Sequence, residues 1–183
     1  MICHKSDVNS INITVDVLKK GGVVVIPTDT VYGFSGILGD TELKIRKIKG
    51  RDENKPFIQL ISKPEDVCLI TKDNIPDKLL KYWPGPLTVI VESVKGGTVA
   101  VRCPGDAWLR KVIEETGIIY STSVNRSGSS VLEECSQIIE EFNNEVELIV
   151  CDGDKINSLP STIVSYVNSE IKIIRQGSLN INI

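Results

Sequence analysis

The sequence predicts an α/β protein: one domain over residues 1–183, with a core from about 10 to 177, built on a twisted mixed (parallel and antiparallel) sheet with flanking helices. Three observations carry that expectation. Apolar stretches with helical spacing alternate with short β-branched runs along the chain. Two pairs of strand-like runs are separated only by the turn residues "VKGG" and "NS", which makes hairpins near the middle and the end. No internal repeat, low-complexity linker or break in composition marks a second domain, and 183 residues suffice to bury one good core.

The elements follow in order. Ile11, Val15 and Leu18 share one helical face in residues 10–20, with Ser10 as N-cap and "GG" as the stop. "GVVVIP" is a short β-branched run suited to a buried strand. "DTELKIRKIKG" is a helix ending at Gly50, and "PFIQLI" is a strand. "IPDKLLKYW" starts a helix at proline and "PGP" stops it. "LTVIVES" and "TVAVRC" make the first hairpin. Helix "DAWLRKVIEET", strand "GIIYSTS", helix "LEECSQIIEEF" and strand "VELIV" come next. The final pair of strands is "STIVSYV" and "IKIIRQ".

Composition narrows the class. The net charge of −3 conceals a basic run from Lys44 to Lys55 and a stretch from Ser127 to Asp154 with eight acids and no Lys or Arg. The acidic stretch reads as solvated helix surface; the basic run offers a local field for a polyanion. Five scattered cysteines without a C-x-x-C pair suggest reduced thiols in a cytoplasmic protein rather than disulfides or a zinc site. No apolar run approaches the roughly 20 residues of a membrane helix. With one histidine, His4, near an N-terminus expected to be loose, histidine triads and histidine metal clusters are disfavoured. P-loop, dinucleotide-fold and nucleophile-elbow signatures are missing as well. Chemistry that works by positioning and charge, such as nucleotidyl transfer, suits what remains.

Four segments place polar groups at expected element ends. "PTDTVYG" supplies the hydroxyls of Thr28 and Thr30, and Gly33 permits close backbone approach. "KGRDENKP" supplies Lys49, Arg51 and Lys55, cations suited to phosphate, though a helix C-terminus welcomes cations anyway. "STSVNRSG" supplies Ser121, Thr122, Ser123 and Asn125, with Ser123 and Asn125 on one side of an extended backbone. "TVAVR", "PST" and "RQG" supply Arg102, Ser161, Thr162, Arg175 and Gly177. Each segment alone is matched by an ordinary turn.

Together, and in this order, "PTDTVYG", "KGR", "WPGPLT", "AVRCP", "SVNRSG", "PST" and "RQG" resemble the YrdC-type threonylcarbamoyl-AMP synthases, from about Gly21 to Gly177. The resemblance implies a YrdC-like fold with a concave electropositive face. It implies an enzyme that joins L-threonine, bicarbonate or CO2 and ATP, with magnesium, into threonylcarbamoyl-AMP and pyrophosphate. It implies partner proteins that pass the threonylcarbamoyl group to the adenosine beside the anticodon in tRNA; direct contact with tRNA or double-stranded RNA is left open. The implied catalytic tetrad is Lys49, Arg51, Ser123 and Asn125. Implied nucleotide contacts are Arg51, Lys55, Thr98, Ser123 and Arg175; implied threonine contacts are Thr28, Arg102, the Ser121 backbone and Ser161, with Thr28 expected to read the side-chain hydroxyl. No protein metal ligand is implied. Asp52 and "TSVN" stand where many members have proline and "PSAN", Leu60 stands where long-form members have histidine, and the long form's extra C-terminal domain is not expected. The rival expectation is a non-catalytic member of the same superfamily that binds RNA, against which the acidity and the few aromatics speak.

Overall fold

The computed structural model describes residues 1–50 and 56–181. Its strands, in chain order, are β1 (Ile2–His4), β2 (Val24–Ile26), β3 (Gly33–Ile37), β4 (Ile58–Leu60), β5 (Leu87–Glu92), β6 (Thr98–Arg102), β7 (Ile119–Ser123), β8 (Leu148–Cys151), β9 (Thr162–Val167) and β10 (Glu170–Arg175). The helices are α1 (Ser10–Lys19), α2 (Thr41–Lys49), α3 (Asp77–Leu80), α4 (Ala107–Thr116) and α5 (Cys135–Phe142), with a 3-10 turn over Pro64–Leu69. All ten strands join one sheet in the order β1-β8-β2-β3-β7-β4-β6-β5-β9-β10, mixed as the sequence predicts. Parallel pairs β1–β8, β2–β8, β4–β6 and β5–β9 lie among antiparallel ones. No helix among the described residues is long and apolar enough to cross a membrane.

Strand alternation sends side chains to two unlike faces. On one face, Val25 and Phe34 pack under Ile45 and Ile48 of α2 and Ile138 and Phe142 of α5. Farther along that face, Val89, Val101 and Val164 pack under Ile70, Ile75 and Leu79. The other face carries Val24, Ile26, Leu60, Ile119, Leu148 and Val150 against Val15 and Leu18 of α1 and Leu109, Val112 and Ile113 of α4. With Cys3 of β1 in the same cluster, these α1 and α4 residues cover the β1-to-β4 half. Toward β10 the same face carries Thr88, Arg102, Ile163 and Arg175 at aligned positions, and that asymmetry positions the site.

Several local expectations change. Helix α1 begins with Ser10 inside it and Asn9 as the flanking residue, whose side chain makes no cap bond. The N-terminus is an edge strand, because the Met1 amine donates to Glu147 O (3.0 Å) and β1 runs parallel to β8. Strand β3 follows the hydroxyl-rich loop, where the sequence marked no strand. Helix α5 starts at Cys135, three residues after Leu132, whose amide is taken by Val124 O (2.9 Å). The expectation of five reduced thiols fails: Cys135 and Cys151 form a disulfide, with Cα atoms 6.0 Å apart and a sequence separation of 16. Pairing of the start of α5 with the end of β8 is a tertiary event that no cysteine spacing announces. Cys3 and Cys103 are buried and Cys68 is exposed.

Candidate active site

The half-covered face closes into a cavity of about 280 Å³. Its walls include Thr28, Thr30, Tyr32, Gly33, Ile58, Arg102, Ser121, Ser123, Val131, Ser161, Ile163 and Arg175. Gly33 lies beside β7, where a Cβ would come within 2.8 Å of Ser121 Oγ, so the close strand approach requires glycine there.

Arg102 closes the end of β6 and is only 4 % exposed. Its Nε donates to Gly85 O (3.1 Å), Nη1 to Thr30 Oγ1 (2.9 Å) and Nη2 to Asp29 Oδ1 (2.5 Å). A guanidinium has five N–H donors. Three are used within the chain, which leaves one on each terminal nitrogen, the pair a carboxylate or phosphate takes two at a time. The "WPGPLT" segment supplies the backing: Gly85 also donates its amide to Cys103 O (2.8 Å), and Trp83 Nε1 donates to Leu87 O (2.7 Å).

The hydroxyls of "PTDT" form an oriented chain. Thr28 Oγ1 donates to Val31 O (2.7 Å) and accepts from Thr30 N (3.1 Å). Its 3.0 Å contact with Thr30 Oγ1 must therefore use the Thr30 proton, and Thr30 Oγ1 in turn accepts from Arg102. Thr28 thus has one donor and two acceptor positions, all occupied within the loop. Thr30, which also lines the cavity, keeps one lone pair.

Across the cavity, Ser123 Oγ donates to Asn125 Oδ1 (2.8 Å), on the shared side expected from their spacing. Lys49 ends α2, where a cation is ordinarily solvated. It is instead 3 % exposed, and its Nζ donates to Ser123 O (2.5 Å), Asn125 O (2.9 Å) and Asn125 Oδ1 (2.8 Å) behind the turn. The last motifs interlock: Arg175 Nη2 donates to Ser161 O (2.8 Å), Ser161 Oγ meets Thr88 Oγ1 (2.8 Å), and Gly177 N donates to Thr162 Oγ1 (2.9 Å). A Cβ on Gly177 would stand 2.1 Å from Pro160 O. Burial, and after it the charge of Arg102, pulls Arg175 below the usual arginine range, which places two cations at one cavity.

Tyr32 Oη donates to Gly153 O (2.6 Å) and accepts from Asp152 N (2.8 Å), tying the loop to the end of β8. The Asp152 and Asp106 carboxylates both receive Lys5 Nζ, at 2.9 and 2.5 Å.

A family model named Sua5_yciO_yrdC, described as telomere recombination, matches residues 16–177. The chain belongs to this Sua5/YciO/YrdC family. It is 30 % identical to threonylcarbamoyl-AMP synthase of Pyrococcus abyssi over 92 % of the chain and 54 % of that protein. It is 28 % identical to the Bacillus subtilis protein of the same name, over 88 % of the chain and 51 % of that protein. The chain thus spans about half the length of these relatives. The fold matches the crystal structure of P. abyssi Sua5 complexed with L-threonine, with a TM-score of 0.88, 28 % identity, and coverage of 98 % of this chain and 58 % of that one.

Of the residues expected at a site, Thr28, Arg102, Ser121, Ser123, Ser161 and Arg175 line the one cavity. Asn125 stands beside it through Ser123, and Lys49 sits behind both. Thr98 lies on the same face of β6 as Arg102, two alternations away, exposed and outside the lining. Arg51 and Lys55 lie outside the described residues. Sequence reasoning overlooked Asp29 and the Gly85 carbonyl; the only signal for Asp29 was a carboxylate between two hydroxyls.

Proposed function

We propose that this chain forms threonylcarbamoyl-AMP and pyrophosphate from L-threonine, bicarbonate or CO2 and ATP. The observation that carries the reading is Arg102, with an N–H left on each terminal nitrogen, beside Arg175 and the Ser121–Ser123 edge in one cavity. Relatives named threonylcarbamoyl-AMP synthase and a family structure holding L-threonine support it.

In this reading Arg102 grips the amino-acid carboxylate, while Arg175 and Ser123 face the nucleotide; the further nucleotide contacts that the family resemblance implies, Arg51 and Lys55, lie outside the described residues. The threonine amine, as its carbamate, presents an oxygen to the α-phosphorus of ATP. That O–P bond forms as the bond to the bridging oxygen breaks, and the electron pair leaves with pyrophosphate. Magnesium, if brought in by the nucleotide, would offset part of the phosphate charge alongside Arg175. Two anions that repel in water are held together, so orientation and charge supply most of the acceleration. The chain works in the cytoplasm, and partner proteins carry the product's acyl group to tRNA.

Pyrophosphate release with each reactant omitted in turn is the test. Release should need ATP, threonine and bicarbonate together. Release that ignores threonine overturns the reading; RNA binding without such release favours the RNA-binding rival.

A further inference from the structure

We propose that Asp29 is the positioning residue for Arg102. The inference rests on the proposed function and concerns a residue that no motif reading placed at the site. Asp29 sits in the loop between β2 and β3 with its side chain 20 % exposed, and each of its oxygens has one partner. Oδ1 accepts from Arg102 Nη2 at 2.5 Å, and Oδ2 accepts from the amide of Gly105 at 3.0 Å. One carboxylate therefore holds the guanidinium that ends β6 and, through Gly105, the turn that leads from Arg102 into α4. Thr30 takes Nη1 of the same guanidinium from the next residue along.

Two effects of that carboxylate oppose each other. Its charge partly neutralises Arg102 and weakens the arginine's pull on a second anion. Its contact also fixes the plane of the guanidinium, which decides whether the two remaining N–H groups diverge or form a fork. A planar donor loses its advantage over a point charge when it rotates. A buried arginine without its counter-charge also carries a desolvation cost that drives it to find another partner. Arg175 supplies a second cation at the same cavity, so charge is in less demand there than direction. Orientation wins. Asp29 then governs carboxylate capture without touching the substrate.

The test is steady-state pyrophosphate release and calorimetric binding of L-threonine and of ATP. It uses the full chain, its Asp29→Asn and Asp29→Glu variants, Arg102→Ala, and the double variant Asp29→Asn/Arg102→Ala. Asp29→Asn should raise the threonine KM about tenfold or more, as expected when one partner of a buried charge pair is lost. The ATP KM should stay within about twofold, and Asp29→Glu should recover most of the loss, since the carboxylate remains to orient a planar partner. In the Arg102→Ala background, Asp29→Asn should add nothing, because a residue acting through another shows full coupling. An unchanged or lower threonine KM in Asp29→Asn, equal losses for threonine and ATP, or an undiminished extra loss without Arg102 would each overturn the proposal. Should Asp29→Asn melt below the assay temperature, Gly105→Ala carries the same test, because its Cβ would stand 3.0 Å from Asp29 Oδ2, so tight that the carboxylate must give by a few tenths of an ångström. A threonine-selective rise there supports the role, and wild-type values overturn it. A wild type without threonine-dependent release removes the proposed function and this role together. An active wild type with an indifferent Asp29→Asn removes this role alone.

Discussion

The cavity has two cationic walls, and they use their cations differently. On the β6 wall, Arg102 meets a carboxylate, a hydroxyl and a carbonyl, and keeps two donors for a ligand. On the β7 wall, Lys49 gives its ammonium to two carbonyls and an amide oxygen of its own chain. A planar cation with five donors can be held and still offer a fork, whereas three hydrogen bonds use every proton an ammonium has. The first wall presents charge. The second uses charge to shape a turn: Asn125 is held on all sides by Lys49, Ser123 and two backbone carbonyls, and Ser123 is the residue of that turn that lines the cavity.

That difference can be broken first at Lys49. Lys49→Met should cost about 4 kcal/mol of stability, since it leaves two or three buried oxygens without donors at about 1–3 kcal/mol each. A thermal melt would show a drop of roughly 8–16 °C. A variant that melts like wild type yet loses turnover would return Lys49 to a direct role at the phosphates.

The disulfide belongs to the β7 wall alone, where it closes the segment between β8 and the loop that carries Val131. With 16 residues of separation, Cys135→Ser should cost about 3 kcal/mol in the chain-entropy account. A thiol reductant should lower the wild-type melting temperature toward that of the variant and leave the variant unmoved. Cys103 should resist alkylation throughout, because burial pushes its thiol up to about 12, while exposed Cys68 should label.

On the β6 wall, Arg102→Lys keeps the charge and loses the fork, and should raise the threonine KM about a hundredfold with a smaller change for ATP. Equal effects on both substrates would place Arg102 away from the carboxylate.

The smallest effect concerns Lys5, which ties Asp106, beyond the β6 wall, to Asp152, beside Tyr32. Burial works against both charges, but the hydrogen bonds and attraction among them hold Lys5 above its ordinary value of 10.5 and Asp152 below its 3.8. The lysine's contribution is complete below 10.5 and is lost as pH rises through its folded value. The aspartate's is complete above 3.8 and is lost as pH falls through its folded value. The melting difference between wild type and Lys5→Met should therefore be flat through neutrality and shrink in strong acid and strong base; a difference independent of pH would assign it to packing.

Much of this architecture was legible along the chain because local signals agreed with the global fold. Gly50 ends α2, Asp106 caps α4 by accepting from Leu109 N (2.9 Å), and β5 and β6 pair across the turn that separates them. What escaped depends on distant partners. Strand β1 has three residues and exists because β8 lies beside it. Strand β3, "GFSGI", carries two glycines and a serine, and only its register between β2 and β7 makes it a strand. The same holds at the site. Ser123 and Asn125 were readable from a spacing of two, whereas Asp29 reaches a group 73 positions away. Lys49 was readable as a cation suited to phosphate but not as a buried one, because a lysine at the end of a helix gives no hint that a turn 74 residues later will fold over it.

Strand β10 is the last in the sheet and has a neighbour only in β9, yet it delivers Arg175 to the cavity. Its outward amides have no ladder partner among the described residues, so this margin can peel by giving up one neighbour alone. An anion bridging Arg175 to the interior would stitch that margin down. Deuterium uptake along Glu170–Arg175, slowed by occupancy and unaltered elsewhere in the sheet, would then serve as a gauge of filling that needs no turnover at all.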